Sequence, residues 1–288
     1  MATNKKNKSP LQRTVIRFFS RKLSILGLLL LGIIIFIAVF GNVICPYDPA
    51  LTDTPVRFQA PGSDHIFGTD DLGRDVFARI IDGSRITLKI SIGAVFLALA
   101  AGTCLGLISG YYGGFLDRVL SGFMDALWAF PALVLAMAIN VALGDASSLN
   151  IMIAIGIVTI PNFFRLARSR ALSIREMEYV TGAKAIGLND CKIIFRYVLP
   201  NMSSTLIVQF ALSCASAVLS EASLSFLGLG VPLPAASWGT MLKNGFSMMS
   251  RAPWLIVFPA VFIMILVLGL NFVGDGLRDA MDVHIATD

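Results

Sequence analysis

Charge is what this sequence has least of. Of its 288 residues 14% are Asp, Glu, Lys or Arg and 56% are apolar, whereas a soluble domain is about 25% charged and about 45–50% apolar. A chain this apolar cannot hide its surface in one water-soluble core. An ordinary cytosolic enzyme, a disordered regulator and a disulfide scaffold are therefore excluded, and lipid must be part of the solvent. Histidine is nearly missing. His65 and His284 both fall outside the apolar runs, so no His-based metal cluster or triad can form inside a membrane. Cys45, Cys104, Cys191 and Cys214 have no CxxC spacing and are expected as free thiols. HExxH and GxSxG are absent. Tyr47-Asp48 and Gly274-Asp275 only graze the intramembrane aspartyl protease pattern, because Phe272 stands where its first glycine belongs. Gly182 and Gly187 have P-loop spacing, but Leu188-Asn189 follow where Lys and Ser/Thr are required. The chain cannot hold ATP by that device, and any uphill work must draw on another subunit.

What the sequence has is apolar length. A transmembrane helix needs about 20 apolar residues to cross about 30 Å of hydrocarbon. Charge-free runs occur at 23–47, 90–116, 126–144, 146–164, 197–220, 222–242 and 252–274. The run 222–242 holds Gly228, Gly230, Pro232, Pro234 and Gly239. That density would leave backbone groups unpaired in lipid, so it is read as an irregular, re-entrant or edge segment, and six spans remain. Lys5, Lys6, Lys8, Arg13, Arg17, Arg21 and Lys22 precede the first span with no acid among them. Arg165, Arg168, Arg170, Arg175, Lys184, Lys192 and Arg196 crowd the loop between spans four and five. This asymmetry predicts both termini inside. The first span is too long for a signal-peptide core. No charge is expected deep in any span, and Asp125 is read as structural, snorkelling or pairing with Arg118. The absence of an intramembrane relay disfavours a proton- or ion-driven carrier.

Two spans are patterned. Ala94, Ala98, Gly102, Gly106 and Gly110 place a small residue at every fourth position of span two, a face along which another backbone can approach closely. Helix packing is the plain reading, and a sliding gate the alternative. Thr205, Gln209, Ser213, Ser216 and Ser220 form a polar stripe along span five. It is either interhelical glue or one wall of an aqueous pathway, since Gln209 at mid-membrane depth needs water or a partner.

Two loops carry the remaining signal. In the outer loop, Asp70/Arg74 and Asp75/Arg79 have i,i+4 spacing, and Leu72, Val76 and Ile80 recur at steps of four. Together they predict a short amphipathic helix at the interface, either a structural cap or a docking surface. In the loop at 165–204, Ser173 and Glu176 read as a capping box, Gly187 as a left-handed stop, and Asn189 as the cap of a second helix ending before Pro200. Two short helices joined at a glycine make a knob suited to docking on a soluble partner.

The residues resemble the permease subunits of bacterial ATP-binding-cassette importers for peptides and nickel, and in particular the C-type dipeptide/oligopeptide permease. The likeness rests on Gly68 to Asp75, Glu178 to Pro200, the LSFLGLG run from Leu224 to Gly230, SWGTML from Ser237 to Leu242, and NFVGDGLRD from Asn271 to Asp279. It implies an all-α polytopic protein of six transmembrane helices with the type I importer permease fold. Its expected layout is a basic tail (1–22), a first helix (23–47), an outer loop (48–89), a core (90–274) holding the coupling loop 165–204 and an irregular outer segment 221–251, and a tail (275–288). In that family the loop before span five carries an EAA signature. Thr181-Gly182-Ala183 occupy its positions here, without the acid, and Gly187 and Leu199-Pro200 match. By resemblance Glu178, Thr181, Gly182, Ala183, Ala185, Gly187, Leu188, Leu199 and Pro200 couple to ATPases. Asp70, Asp71, Arg74, Asp75 and Trp238 are expected to meet an outer partner. The implied partners are a second permease in a heterodimer, two cytoplasmic ATPases carrying ATP and Mg, and an extracytoplasmic binding protein. No cofactor or metal is expected on this chain, no catalysis, and no nucleic acid. Alternating access driven by the ATPases is the implied mechanism. Nickel, metal-chelate and glutathione importers stay open as substrate alternatives, and a stand-alone channel or secondary carrier as an alternative class.

Overall fold

The structure, a computed structural model, describes residues 10–144 and 146–281. Among these the chain is largely helical, with one isolated antiparallel bridge, Thr69 to Asp75, and no strand. Lys5, Lys6, Lys8 and His284 lie outside the described residues.

A short helix, α1 (Pro10–Ser20), breaks at Arg21 before the first long helix, α2 (Lys22–Ile44). Leucine and isoleucine surround α2 on every side, as suits a helix bathed in lipid. It packs along the last helix, α11 (Trp254–Met281), where Gly27 and Gly269 permit the approach. The second long helix, α3 (Val76–Tyr112), has 37 residues, so it starts well outside the hydrocarbon and runs through it unbroken.

Next come α4 (Gly114–Trp128) and α5 (Ala132–Ala142), bent 96° to one another. The run 126–144 is thus not one straight span. Pro131 biases Phe130 out of helical geometry and cannot donate to the preceding turn. With 11 residues, α5 reaches only about half the hydrocarbon thickness. Among the described residues five helices are long and apolar enough to cross alone, and a sixth crossing exists when this bent pair counts as one.

The third long helix, α6 (Ser148–Arg175), is capped by Ser147 and continues past Ser173, whose hydroxyl donates to the Ser169 carbonyl. The Ser173 capping box is therefore not formed, because the uninterrupted helix already satisfies the local amides. The break comes later, and α7 (Glu178–Ala185) and α8 (Asp190–Ile193) follow. Pro200 does not end the second short helix. A π turn at Ile194–Val198 widens the backbone ahead of the proline ring, and the chain runs on as α9 (Leu199–Leu224), continuous from Asp190 to Leu229. A second π turn, Ser225–Leu229, is kinked at Gly228, which has φ +95. Irregular backbone then leads to α10 (Trp238–Phe246), held by a Ser237/Thr240 capping box, and on to α11.

The dominant internal contact joins α3 to α6. Ala94 and Ala98 are fully buried there. A Cβ on Gly102 would sit 2.7 Å from the Ile160 carbonyl oxygen and the Phe163 Cβ, and one on Gly110 would sit 2.5 Å from the Arg168 carbonyl oxygen. The small stripe is used for close packing.

Candidate functional site

The polar stripe of α9 meets a second set of polar groups on α6. Gln209, Ser213, Ser216 and Ser220 line a cavity of about 130 Å³ together with Thr159 and Asn162. Gln209 Nε2 donates to Ser213 Oγ at 3.1 Å, and Ser220 Oγ to the Ser216 carbonyl at 3.0 Å. Thr205 lies one turn away and does not line it. A neighbouring cavity of about 140 Å³ shares Thr159, Asn162, Ser216 and Ser220 and is closed by Leu127, Trp128 and Phe130 at the α4–α5 bend. No lining residue of either cavity is charged. Hydrogen-bonding capacity without net charge can bind amides and hydroxyls but does not trap an ion.

A cation stands beside this space. Arg165 stacks over the Trp128 ring at 3.5 Å and pairs with Asp125 at 2.7 Å. Asp125 therefore pairs across to α6 rather than with Arg118. Nearby, Asp117 takes two bonds from Arg168, at 2.5 and 2.7 Å, and one from Ser109 Oγ at 2.5 Å, tying α4 to α6 and to the end of α3.

At the basic end of the bundle the predicted knob is present with a different start. Met177 stands at the N-cap of α7, and Val180 and Ala183 anchor the helix from beneath. Gly187 has φ +78. Its N–H donates to the Lys184 carbonyl at 2.9 Å, and the Leu188 N–H to the Ala183 carbonyl at 3.1 Å. This is the paired bonding of a Schellman stop. Asn189 Oδ1 accepts from the Cys191 N–H, as its capping role predicts. Tyr111 Oη donates to Asp190 Oδ1 at 2.6 Å, and Arg175 Nη1 to the Gly110 carbonyl at 3.1 Å. The knob is thereby fastened to α3 at both of its ends. Glu178, Thr181, Gly182, Ala185 and Gly187 lie on its open face, with Ile186 78% exposed. A Cβ on Gly182 would meet nothing within 4 Å. Leu188 and Leu199 are half-buried, and Pro200 is exposed on α9 rather than on the knob.

The outer loop is built otherwise than as an amphipathic helix. Asp70 Oδ1 accepts from the Leu72 and Arg74 N–H groups, and its Oδ2 pairs with Arg74 at 2.7 Å and Arg79 at 3.6 Å. Asp75 does not pair with Arg79. It caps α3 by accepting from the Ala78 N–H at 2.7 Å and binds His65 Nδ1 at 2.8 Å. Arg79 reaches the Pro49 carbonyl instead. A folded turn uses these carboxylates more fully than a helix, since each can accept several backbone amides. Asp70, Arg74, Asp75 and Trp238 are consequently buried, with the Trp238 indole donating to the Ile80 carbonyl. Of the five residues expected to meet an outer partner, Asp71 alone presents a substantially exposed side chain. Burial also pushes the Cys45 thiol, beside Asp75, above its ordinary range.

Sequence reasoning missed three things. Thr159 and Asn162 sit three apart in a charge-free run, a spacing that was there to be seen. The Arg165–Trp128–Asp125 group joins residues 40 apart in sequence and left no local signal. Glu221 separates two apolar runs, yet it lies inside one continuous helix and is fully buried. The expectation of no buried charge-bearing group in the spans is corrected here. Glu221 accepts from Ser225 Oγ at 2.7 Å and Thr87 Oγ1 at 3.2 Å, and Ser225 is in turn 3.2 Å from Ser237 Oγ. Its cost is met by partners on α3 and on the chain entering α10.

Residues 102–286 match the family described as binding-protein-dependent transport system inner membrane component, and residues 9–61 match the N-terminal TM domain of oligopeptide transport permease C. The chain is 44% identical over 274 residues to the dipeptide transport system permease protein DppC of Alkalihalophilus pseudofirmus, covering 95% of this chain and 90% of that one. It is 39% identical to the oligopeptide transport system permease protein OppC of Bacillus subtilis, covering 97% and 91%. To the glutathione transport system permease protein GsiD of Pectobacterium atrosepticum it is 39% identical, covering 92% and 88%. A chain in the inward-facing structures of the MetNI methionine ABC transporter superposes with a TM-score of 0.57 at 18% identity, over 71% of this chain and 97% of that one, a likeness of fold. On these matches the chain belongs to the family of binding-protein-dependent transport system inner membrane components, as a multi-pass permease with the type I ABC importer fold.

Proposed function

We propose that this permease forms half of the translocation pathway of a peptide importer, with a second, homologous permease forming the other half. The observation that carries the reading is the uncharged polar cavity between α6 and α9. Its Asn, Gln, Ser and Thr groups suit the amides shared by all peptides and do not sort side chains by charge, and the dipeptide and oligopeptide permeases among the relatives agree with it. In this reading the basic end of the bundle is cytoplasmic. The open face of α7, with Gly187 as its stop, seats in one of two ATPase subunits that carry ATP and Mg. An extracytoplasmic binding protein delivers substrate at the opposite end, where Asp71 is the exposed member of the folded turn. ATP does work only by favouring one conformer of the assembly. The ties from the knob to α3, and from α3 to α6, carry that preference to the cavity, and Arg165 on Trp128 closes its inner side.

A second reading is glutathione uptake, favoured by the relative of that name. Glutathione is itself a small peptide, and the same uncharged lining accommodates it. The test is purification of the full-length chain in mild detergent from its native host. Recovery of an ATPase, a second permease and a binding protein loaded with peptide is expected. A chain that transports with no ATPase attached is a channel or carrier, which refutes the proposal, and a binding protein loaded with a nickel chelate refutes the peptide assignment.

A further inference from the structure

A groove of about 900 Å³ runs between α3 and the first half of α9, on residues the pathway does not use. Leu107 and Leu206 form its floor, and Phe96, Phe195 and Ile207 stand exposed along its walls. Its basic end opens at Cys191 and Tyr112. Nothing in the described chain fills it. The face lacks what a helix needs to dock in lipid, a run of small residues at one spacing, because the stripe of α3 is already packed against α6. Bulky walls over a narrow floor leave a slot for a flexible chain.

The mouth of the slot is positive and unbalanced. Lys192 and Arg196 flank the lining residues Cys191 and Phe195, are exposed, and make no hydrogen bond or ion pair among the described residues. The acid beside them, Asp190, is engaged by Tyr111, and the Lys184 ammonium lies 4.8 Å from the centre of the Tyr111 ring. An apolar slot ending in unpaired cations at the membrane boundary matches one chemistry, an acyl chain bearing an anionic headgroup. We infer that the groove is a binding site for an anionic phospholipid, its chain between α3 and α9 and its phosphate on Lys192 and Arg196. The inference uses the sidedness proposed above only to name the leaflet, the cytoplasmic one.

The test places the purified full-length chain, with whatever subunits accompany it, in phosphatidylcholine nanodiscs and titrates phosphatidylglycerol carrying a photoactivatable acyl chain. Labelling at 96–107 and 191–207 is expected. Lys192→Gln with Arg196→Gln should weaken phosphatidylglycerol binding about thirtyfold, at roughly tenfold or less per removed cation near the surface, and leave phosphatidylcholine unchanged. Ala100→Phe with Ser203→Phe, which fills the slot from its exposed side, should remove the label with both cations intact. Equal affinity for the two lipids, an unaltered affinity in the double Gln variant, or label outside the groove overturns the site. So does a crosslink from the native Cys104 to a second permease, which would make the groove a subunit interface. None of these readouts depends on transport, so the functional proposal stands or falls separately.

Discussion

Replacing Gly187 with valine isolates the knob as a mechanical part. At φ +78 an L residue is strained by about 1–2 kcal/mol, and a β-branched one by more. A Cβ there meets nothing within 4 Å, so no collision is added and the whole penalty is conformational. If the backbone relaxes to escape it, the Gly187–Lys184 and Leu188–Ala183 bonds are lost, each about 0.5–1.5 kcal/mol. Either way the stop is disfavoured by about 2–3 kcal/mol, a drop of about 30- to 150-fold in the population that holds α7 and α8 at their observed angle. The long helices are untouched, so insertion and folding should persist. Reconstituted with its partner subunits in proteoliposomes, Gly187→Val should lose substrate moved per ATP hydrolysed by at least about tenfold while assembling normally. Gly187→Asn is the control, since asparagine tolerates left-handed backbone, and it should retain most coupling. Uptake by the valine variant equal to wild type, or equal losses in the asparagine and valine variants, would refute the mechanical role of this position.

Gln209→Leu should lower transport if the α6–α9 seam is wet, with Ser213→Cys labelled by a water-soluble maleimide; unchanged uptake together with an unlabelled cysteine makes the stripe glue. Glu221→Leu leaves Thr87 and Ser225 without their acceptor in the interior and should destabilise the outer end by about 1–3 kcal/mol, seen as a lower midpoint in detergent melting, whereas Glu221→Gln keeps an acceptor and should lose less. Equal midpoints for the two would show the network to be incidental. Gly106→Leu drives a side chain into Phe164 and Ala167 on α6 and should cost about 1–3 kcal/mol by overpacking, read as reduced yield of folded protein; Gly122→Leu, whose Cβ site is open, should not.

The apolar runs determined the membrane class and five of the crossings, because transfer of a 20-residue segment into lipid depends on composition and length alone. Periodicity likewise exposed the close-packing face of α3 and the polar stripe of α9, and the left-handed stop at Gly187 followed from local geometry. Tertiary structure decided whatever depended on a distant partner. Whether Asp70 to Asp75 coil into a helix or a turn was settled by His65, Arg79 and the amides around them. Pro200 was absorbed by a π turn rather than ending a helix, and Ser173 was carried inside α6. Glu221 was tolerated in a buried helix because Thr87, 134 positions away, faces it across the bundle. Charge and hydrogen-bonding groups are costly in a low-dielectric interior until something meets them, and what meets them is chosen by packing, not by neighbours in the chain.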